Sequence, residues 1–334
     1  MANSRNRPQS RNRARPAVPN VGTVARPVRR RARRRRQRRR GGRSFFIVML
    51  LILVFALVYF FGGEQISVLI NTGRGAPIEL ADDQIMVSFI DVGQGDSILV
   101  RSNSHAVLID GGEHAQRNVV INYLRDAGVT RLDYVVATHP HSDHIGGLVT
   151  VLGRKEVGYV VMPDIEHNTS TFENFLAAIE NNNIPVKFPL AGDRIQAGII
   201  DMAVVAPAAG AHSIMNNYSI VLRLAHGQTS FLFTGDAEHE SERQMTTSGM
   251  NISANILKIG HHGSRTSTSE IFLDTVNPAA AVISLGERNP FGHPHADVIQ
   301  RLQERSIPIY RTDELGTIRM LTNGQTIERF VRDN

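Results

Sequence analysis

A layered α/β domain is the fold class this sequence predicts, on three observations. Short apolar strands follow one another early in the globular region, such strands alternate with helical patterns later, and Gly, Asp and Asn punctuate both. Strands are expected at 85–91, 97–101, 106–110, 133–138, 158–162, 201–205, 218–225, 230–234, 255–259 and 280–284. Helices are expected near 116–127, 144–153, 171–181, 238–246, 268–275 and 295–304. The alternation argues against an all-β barrel, and no internal repeat is present.

Ahead of this domain the composition changes sharply. Residues 1–43 hold 17 arginines, no lysine and no acidic residue, with Pro, Asn, Ser and Gly between them, and are expected to form a disordered Arg-rich tail unable to bury a core. The chain has 37 basic and 31 acidic residues, so the remainder sets 20 against 31, about −11, and the overall +6 describes no real domain. Phe45 to Phe61 are uncharged and almost wholly apolar. As a helix they span roughly 26–28 Å, close to the ~30 Å hydrocarbon core of a bilayer. Residues 44–63 therefore read as one transmembrane helix, 64–83 as a linker, and 84–334 as the globular domain. A cleaved signal peptide is the rival reading, but Gly62-Gly63-Glu64-Gln65 offers no Ala-x-Ala site. The arginine block abuts the helix, and the positive-inside tendency then puts the N-terminus in the cytoplasm and the domain outside the cell membrane. The tail either contacts anionic lipid or nucleic acid or is a topology signal alone. The absence of cysteine suits an exported domain without deciding the matter, and the oligomeric state is not legible.

The strongest chemical signal is Thr138-His139-Pro140-His141-Ser142-Asp143-His144, directly after the strand ending at Ala137. Three imidazoles and a carboxylate within six residues place N and O ligands of the kind Zn, Mn or Fe prefer on one loop. Chance clustering of core or surface histidines is the bland alternative, and the His-x-His-x-Asp-His spacing makes it the weaker one. Other strand ends offer Asp110, Asp236 and the pair His261-His262. Each alone is weak, because Asp-Gly after a strand is usually a turn. Four strand ends all delivering Asp or His are harder to dismiss.

With these residues in view, the sequence resembles the metallo-β-lactamase superfamily, and within it the extracytoplasmic hydrolase domain of the competence protein ComEC. The resemblance rests on Phe89-Ile90-Asp91-Val92-Gly93-Gln94-Gly95-Asp96-Ser97, Leu108-Ile109-Asp110-Gly111-Gly112, the histidine loop and Phe233-Thr234-Gly235-Asp236. Leu257-Lys258-Ile259-Gly260-His261-His262-Gly263-Ser264, Gly292-His293-Pro294-His295 and Tyr310-Arg311-Thr312-Asp313 extend it over nearly all of 84–330. It implies a four-layer αβ/βα sandwich with two divalent metal ions, Zn or Mn, at one edge. His139 and His141 would hold the first ion, Asp143 and His144 the second, and Asp236 would bridge them. One of His261 and His262 would complete the second site, and the sequence does not separate them. Asp110 would orient a ligand histidine, and Asn217, Lys258 and Ser264 are expected behind the ligands or against the substrate. The usual third histidine of the first ion has no clear counterpart: Asn216-Asn217-Tyr218-Ser219 occupies that region and His212 is the nearest imidazole in sequence, which leaves open one metal or two.

The remaining histidines are weighed more blandly. His105, His114, His167, His226 and His239 are expected on the surface, and His293 and His295 either line the site rim or form a helix-start loop. Gly93-Gln94-Gly95-Asp96 either cradles an anion or is a turn.

The reaction class implied is hydrolysis by a metal-bound hydroxide, with Asp143 or Asp236 shuttling the proton. No Gly-x-Ser-x-Gly motif and no cysteine offers a covalent route. The resemblance suggests a phosphodiester, DNA included, whereas a charge of about −11 opposes a polyanion. A small phosphoester, ester or cell-envelope substrate is the alternative. A membrane-tethered scaffold with a merely structural metal is the non-enzyme reading, opposed by a ligand set larger than the four a closed structural site needs.

Overall fold

The computed structural model describes residues 78–330. The expected tail, the transmembrane helix and most of the linker lie outside the described residues. Among the described residues no helix is long and apolar enough to cross a membrane.

Two sheets make up the domain. In the first, β1 (Ile85–Phe89), β2 (Ile98–Arg101) and β3 (Ala106–Ile109) are antiparallel, and β4 (Arg131–Val136), β5 (Glu156–Val161) and β6 (Val186–Lys187) continue in parallel. A hairpin of β14 (Ile318–Thr322) and β15 (Ile327–Phe330) returns beside β1, giving the order β15-β14-β1-β2-β3-β4-β5-β6. The second sheet repeats the scheme. β7 (Arg194–Ala197), β8 (Ile200–Ala206), β9 (Val221–His226) and β10 (Thr229–Phe233) are antiparallel, then β11 (Ile256–Lys258), β12 (Ala280–Ile283) and β13 (Ile309–Arg311) run parallel.

The side-chain period of two divides each central strand between two cores. In β3, Val107 and Ile109 face the opposite sheet while Ala106 and Leu108 face helices; in β10, Phe231 and Phe233 face inward and Leu232 outward. Burial on both faces is why these strands read as continuous apolar runs. Helices α1 (Arg117–Asp126), α2 (Ser142–Ile145), α3 (Leu148–Leu152) and α4 (Ser170–Asn181) cover the first sheet. α5 (His239–Thr247), α6 (Glu270–Val276) and α7 (Ala296–Glu304) cover the second, completing four layers, and α8 (Thr312–Leu315) follows β13.

The expected strands and helices are present within a few residues, with two corrections. The helix expected at 144–153 is two short helices, α2 and α3, broken at Gly146-Gly147. A Cβ on Gly147 would overlap the carbonyl oxygen of Gly111, so the backbone packs too closely there for a side chain. β6, β7, β13, β14 and β15 were not expected. They are short or edge strands, and in β14 Arg319 interrupts an apolar run whose alternate residues Ile318, Met320 and Thr322 are buried.

Phe231 stacks on Phe233 with centroids 6.1 Å apart in the core between the sheets. Phe231→Ala is expected to lower unfolding free energy by about 3–5 kcal/mol, read as a lower urea midpoint at unchanged slope. A loss below ~1 kcal/mol would mean that the sheets close over the gap.

Candidate metal centre

Parallel strands end on the same side of a sheet, so β3, β4, β10, β11 and β12 deliver their following loops to one edge of the sandwich. Asp110 follows β3, the histidine loop follows β4, Asp236 follows β10, and His261-His262 follow β11. The backbone makes room for them. Gly95, at φ 124°, lies where a Cβ would overlap the Asp143 carbonyl. Asp110, His261 and His262 adopt left-handed φ of 57°, 47° and 52°, a conformation that costs non-glycine residues about 1 kcal/mol or more each and tends to gather at functional sites.

Asp110 is fully buried and organises the ligand loop. Its Oδ1 accepts from the Thr138 N–H at 2.8 Å, and its Oδ2 accepts from Thr138 Oγ1 at 2.7 Å and from His144 Nδ1 at 2.8 Å. That last bond leaves His144 Nε2 aimed outward. His139 is oriented in the same way, its Nδ1 lying 3.2 Å from Thr138 Oγ1. His262 donates from Nδ1 to the Ser284 carbonyl at 2.9 Å, which likewise frees its Nε2.

Two ligand groups result, each with its atoms within 4.8 Å of one another, and they share Asp236: His139, His141 and Asp236 in one, Asp143, His144, Asp236 and His262 in the other. His139 Nε2 is 2.9 Å from His141 Nδ1 and 3.8 Å from Asp236 Oδ2. His144 Nε2 lies 3.3 Å from Asp236 Oδ2, and His262 Nε2 lies 3.4 Å from Asp236 Oδ1 and 3.3 Å from Asp143 Oδ2. Ligand atoms on one tetrahedral ion with ~2.1 Å bonds stand roughly 3.4 Å apart. His144 Nε2, His262 Nε2 and Asp236 Oδ1 are all buried without a hydrogen-bond partner, which suits atoms that serve a cation. The residues fit a pair of divalent ions. A third grouping, Asp96, Asp110 and His144, does not, because His144 Nδ1 is spent on Asp110 and Asp96 pairs with Lys258.

Burial alone would lower His144 and His262, but the carboxylates of Asp236 and Asp143, with Asp110 for His144 and Asp96 for His262, outweigh it and raise both above the ordinary imidazole range. Burial would raise Asp236, yet the charges of His262 and His144 hold it well below the usual carboxylate range. His139 and His141 are lowered, chiefly by burial, and stay neutral. The groups open onto a cleft of about 450 Å³ lined by Gln94, His141, Asp143, His167, Phe291 and His293 among others.

The structure separates His261 from His262. His262 belongs to a ligand group, whereas His261 lies outside both, turned toward the cleft with Nδ1 2.9 Å from Glu238 Oε1. Of the two places expected for Lys258, behind the ligands or against the substrate, it takes the first: it is fully buried, ion-paired to Asp96 and donating to the Gly235 carbonyl at 2.9 Å, so it braces the Asp236 loop from behind. Asn217 is buried, and its Oδ1 accepts from the Glu238 and Ser241 N–H groups at the start of α5. Ser264 bonds within its own loop, to Thr266. His212, engaged by Glu240 and the Ala208 carbonyl, is no substitute ligand. His167, expected on the surface, stands on the cleft wall with its ring 5.9 Å from that of His141. His293 also lines the cleft, held down to about 4 by burial and then by the neighbouring His261, His262 and His295. His295 instead accepts from the Arg265 N–H at 3.0 Å. Asp96, Ser219, Glu238 and Ser284 were missed. Asp96 alone had a signal, an acidic residue closing a strand-end Gly-x-Gly turn; Ser284 acts through its carbonyl, which no side chain announces.

A family model described as Metallo-beta-lactamase superfamily matches residues 90–287. ComE operon protein 3 of Bacillus subtilis is 35% identical over 250 residues, covering 70% of this chain and 32% of the relative. Competence protein ComA of Neisseria gonorrhoeae is 32% identical over 246 residues, covering 72% and 33%. Recombination protein 2 of Haemophilus influenzae is 31% identical over 248 residues, covering 72% and 29%. The chain thus spans about a third of the length of the curated relatives it matches.

Two outcomes follow from this geometry. With raised pKa values, His144 and His262 hold their protons to higher pH than a free imidazole does, and a cation must displace them, while Asp236 gives up its proton more readily than a free carboxyl. Zinc affinity, measured by chelator competition, is therefore expected to rise from pH 6 to pH 8 by up to about tenfold per pH unit for each proton released. A flat profile would mean that the imidazoles are neutral beforehand. Lys258→Met leaves Asp96 buried and unpaired, and should cost about 3–5 kcal/mol in unfolding while the KM for a phosphodiester stays put. A raised KM at unchanged stability would return the lysine to the substrate.

Proposed function

Since the chain belongs to the metallo-beta-lactamase superfamily, we propose that it is a metal-dependent hydrolase of phosphodiester bonds, tethered to the cell membrane by residues 44–63 with its catalytic domain outside. The observation that carries this reading is the pair of ligand groups sharing Asp236 at the floor of an open cleft. When bound, divalent ions would lower the pKa of a coordinated water and neutralise charge on the phosphoryl oxygens. Asp236, on β10's loop, ties the two groups into one rigid unit through its two carboxylate oxygens. Asp143 is the more open carboxylate, 21% exposed against 2% for Asp236, which makes it the better placed of the two to exchange a proton with the cleft. His261, steadied by Glu238, and His293 close one flank of the cleft, and His167 closes another.

Relatives named as a competence protein and a recombination protein are in keeping with a DNA-like phosphodiester, and the arginine block of the tail supports the orientation of the anchor. The charge of about −11 outside the tail favours a small phosphoester over a long polyanion as the second reading.

The test is hydrolysis of bis-p-nitrophenyl phosphate, single-stranded DNA and a β-lactam by the purified full chain with Zn or Mn. Phosphodiester turnover is expected, falling on the order of 10³-fold in the His139→Ala, His141→Ala double variant, which should remain folded. Bound metal with no phosphodiester turnover would sink the substrate assignment. Loss of folding in place of turnover would favour a structural metal.

A further inference from the structure

One wall of the metal cleft carries a hydrogen-bond donor with no acceptor. Gln94 sits in the turn between β1 and β2, and each of its neighbours has a structural task. Asp91 Oδ1 accepts from the Gly93 N–H at 3.0 Å, Gly95 lets the chain meet the Asp143 carbonyl, and Asp96 receives Lys258 while its own N–H donates to Asp143 at 3.2 Å. A residue pinned from both sides has little freedom to redirect its side chain. The Gln94 amide oxygen accepts from the Gly286 N–H at 3.4 Å, and since an N–H can only donate, the amide must turn its NH₂ the other way. That Nε2 is buried and has no partner, and Gln94 is one of the residues that line the cleft with Asp143, Asp236 and His262.

Buried donors are satisfied in native proteins, and an exception calls for a missing acceptor. The nearby carboxylates do not supply one, since no carboxylate oxygen makes a hydrogen bond to Gln94 Nε2. We propose that Gln94 Nε2 donates to a non-bridging oxygen of an anionic, phosphate-like substrate held at the metal ligands. The proposal rests on the phosphodiester reading and deepens it. A neutral amide suits this position: it cannot lose its proton to the adjacent carboxylates, it does not compete for a cation, and as a fixed donor it stabilises charge that grows on the oxygen during reaction.

The experiment uses the full chain loaded with zinc, with inorganic phosphate as the probe. Gln94→Glu keeps an oxygen for the Gly286 N–H and removes the donor; Gln94→Met removes both. Phosphate affinity is expected to fall roughly ten- to hundredfold in both variants. kcat on bis-p-nitrophenyl phosphate should fall on the order of 10²–10³-fold, with bound zinc and Tm unchanged in Gln94→Met. In the wild type the Gln94 side-chain amide signal should shift on adding phosphate. Wild-type phosphate affinity in Gln94→Met, or no phosphate binding by the wild type, overturns the assignment. Weakened phosphate binding in the variants with no phosphodiester turnover by any form upholds the donor and rejects the substrate reading alone.

Discussion

The site depends on one buried carboxylate. Asp110 has no contact with water, so its charge must be met inside the protein or extinguished. Three donors meet it: the Thr138 N–H, the Thr138 hydroxyl and His144 Nδ1. Burial pushes its pKa up and the charge of His144 opposes that. These bonds tie the end of β3 to the start of the histidine loop and set the ring of His144. Because the Thr138 hydroxyl is turned toward Asp110, its oxygen is also free to accept from His139, so one carboxylate aims two imidazoles. The left-handed backbone of Asp110 is sustained by its N–H to the Val136 carbonyl at 2.8 Å.

Around this carboxylate the protein keeps an unusual density of charge under cover. Asp96, Asp236, His144, His262 and Lys258 are all buried, and each would be costly alone. They are tolerated because they are interleaved: Lys258 faces Asp96, while His144 and His262 face Asp236. The strained backbone at His261 and His262 belongs to the same arrangement, since the tight turn sends one ring into the ligand group and the next to the cleft wall.

Much of this was legible in the residues. Apolar runs buried on both faces announced the central strands, and the histidine loop announced metal chemistry, because no bland packing need explains that density of imidazoles. Asp110, expected behind a ligand histidine, does hold His144. β14 was illegible for a physical reason: it is a strand because it pairs with Ile85 to Phe89, at the far end of the domain's sequence, and Arg319 hides that in the local pattern.

The sequence by itself determined the chemistry on offer: which loops carry nitrogen and oxygen ligands, which segments must be buried, and where composition divides the chain. Only the tertiary structure decided how each side chain is used. The Ser284 carbonyl set His262, and Glu238 held His261 away, so that only His262 joins the ligand group, and the Asp96 carboxylate turned Lys258 inward. A backbone N–H 192 residues away took the Gln94 amide oxygen and left its NH₂ without a partner. Each of these depends on a partner supplied by a distant strand end, so no window of sequence around the residue itself contains the information.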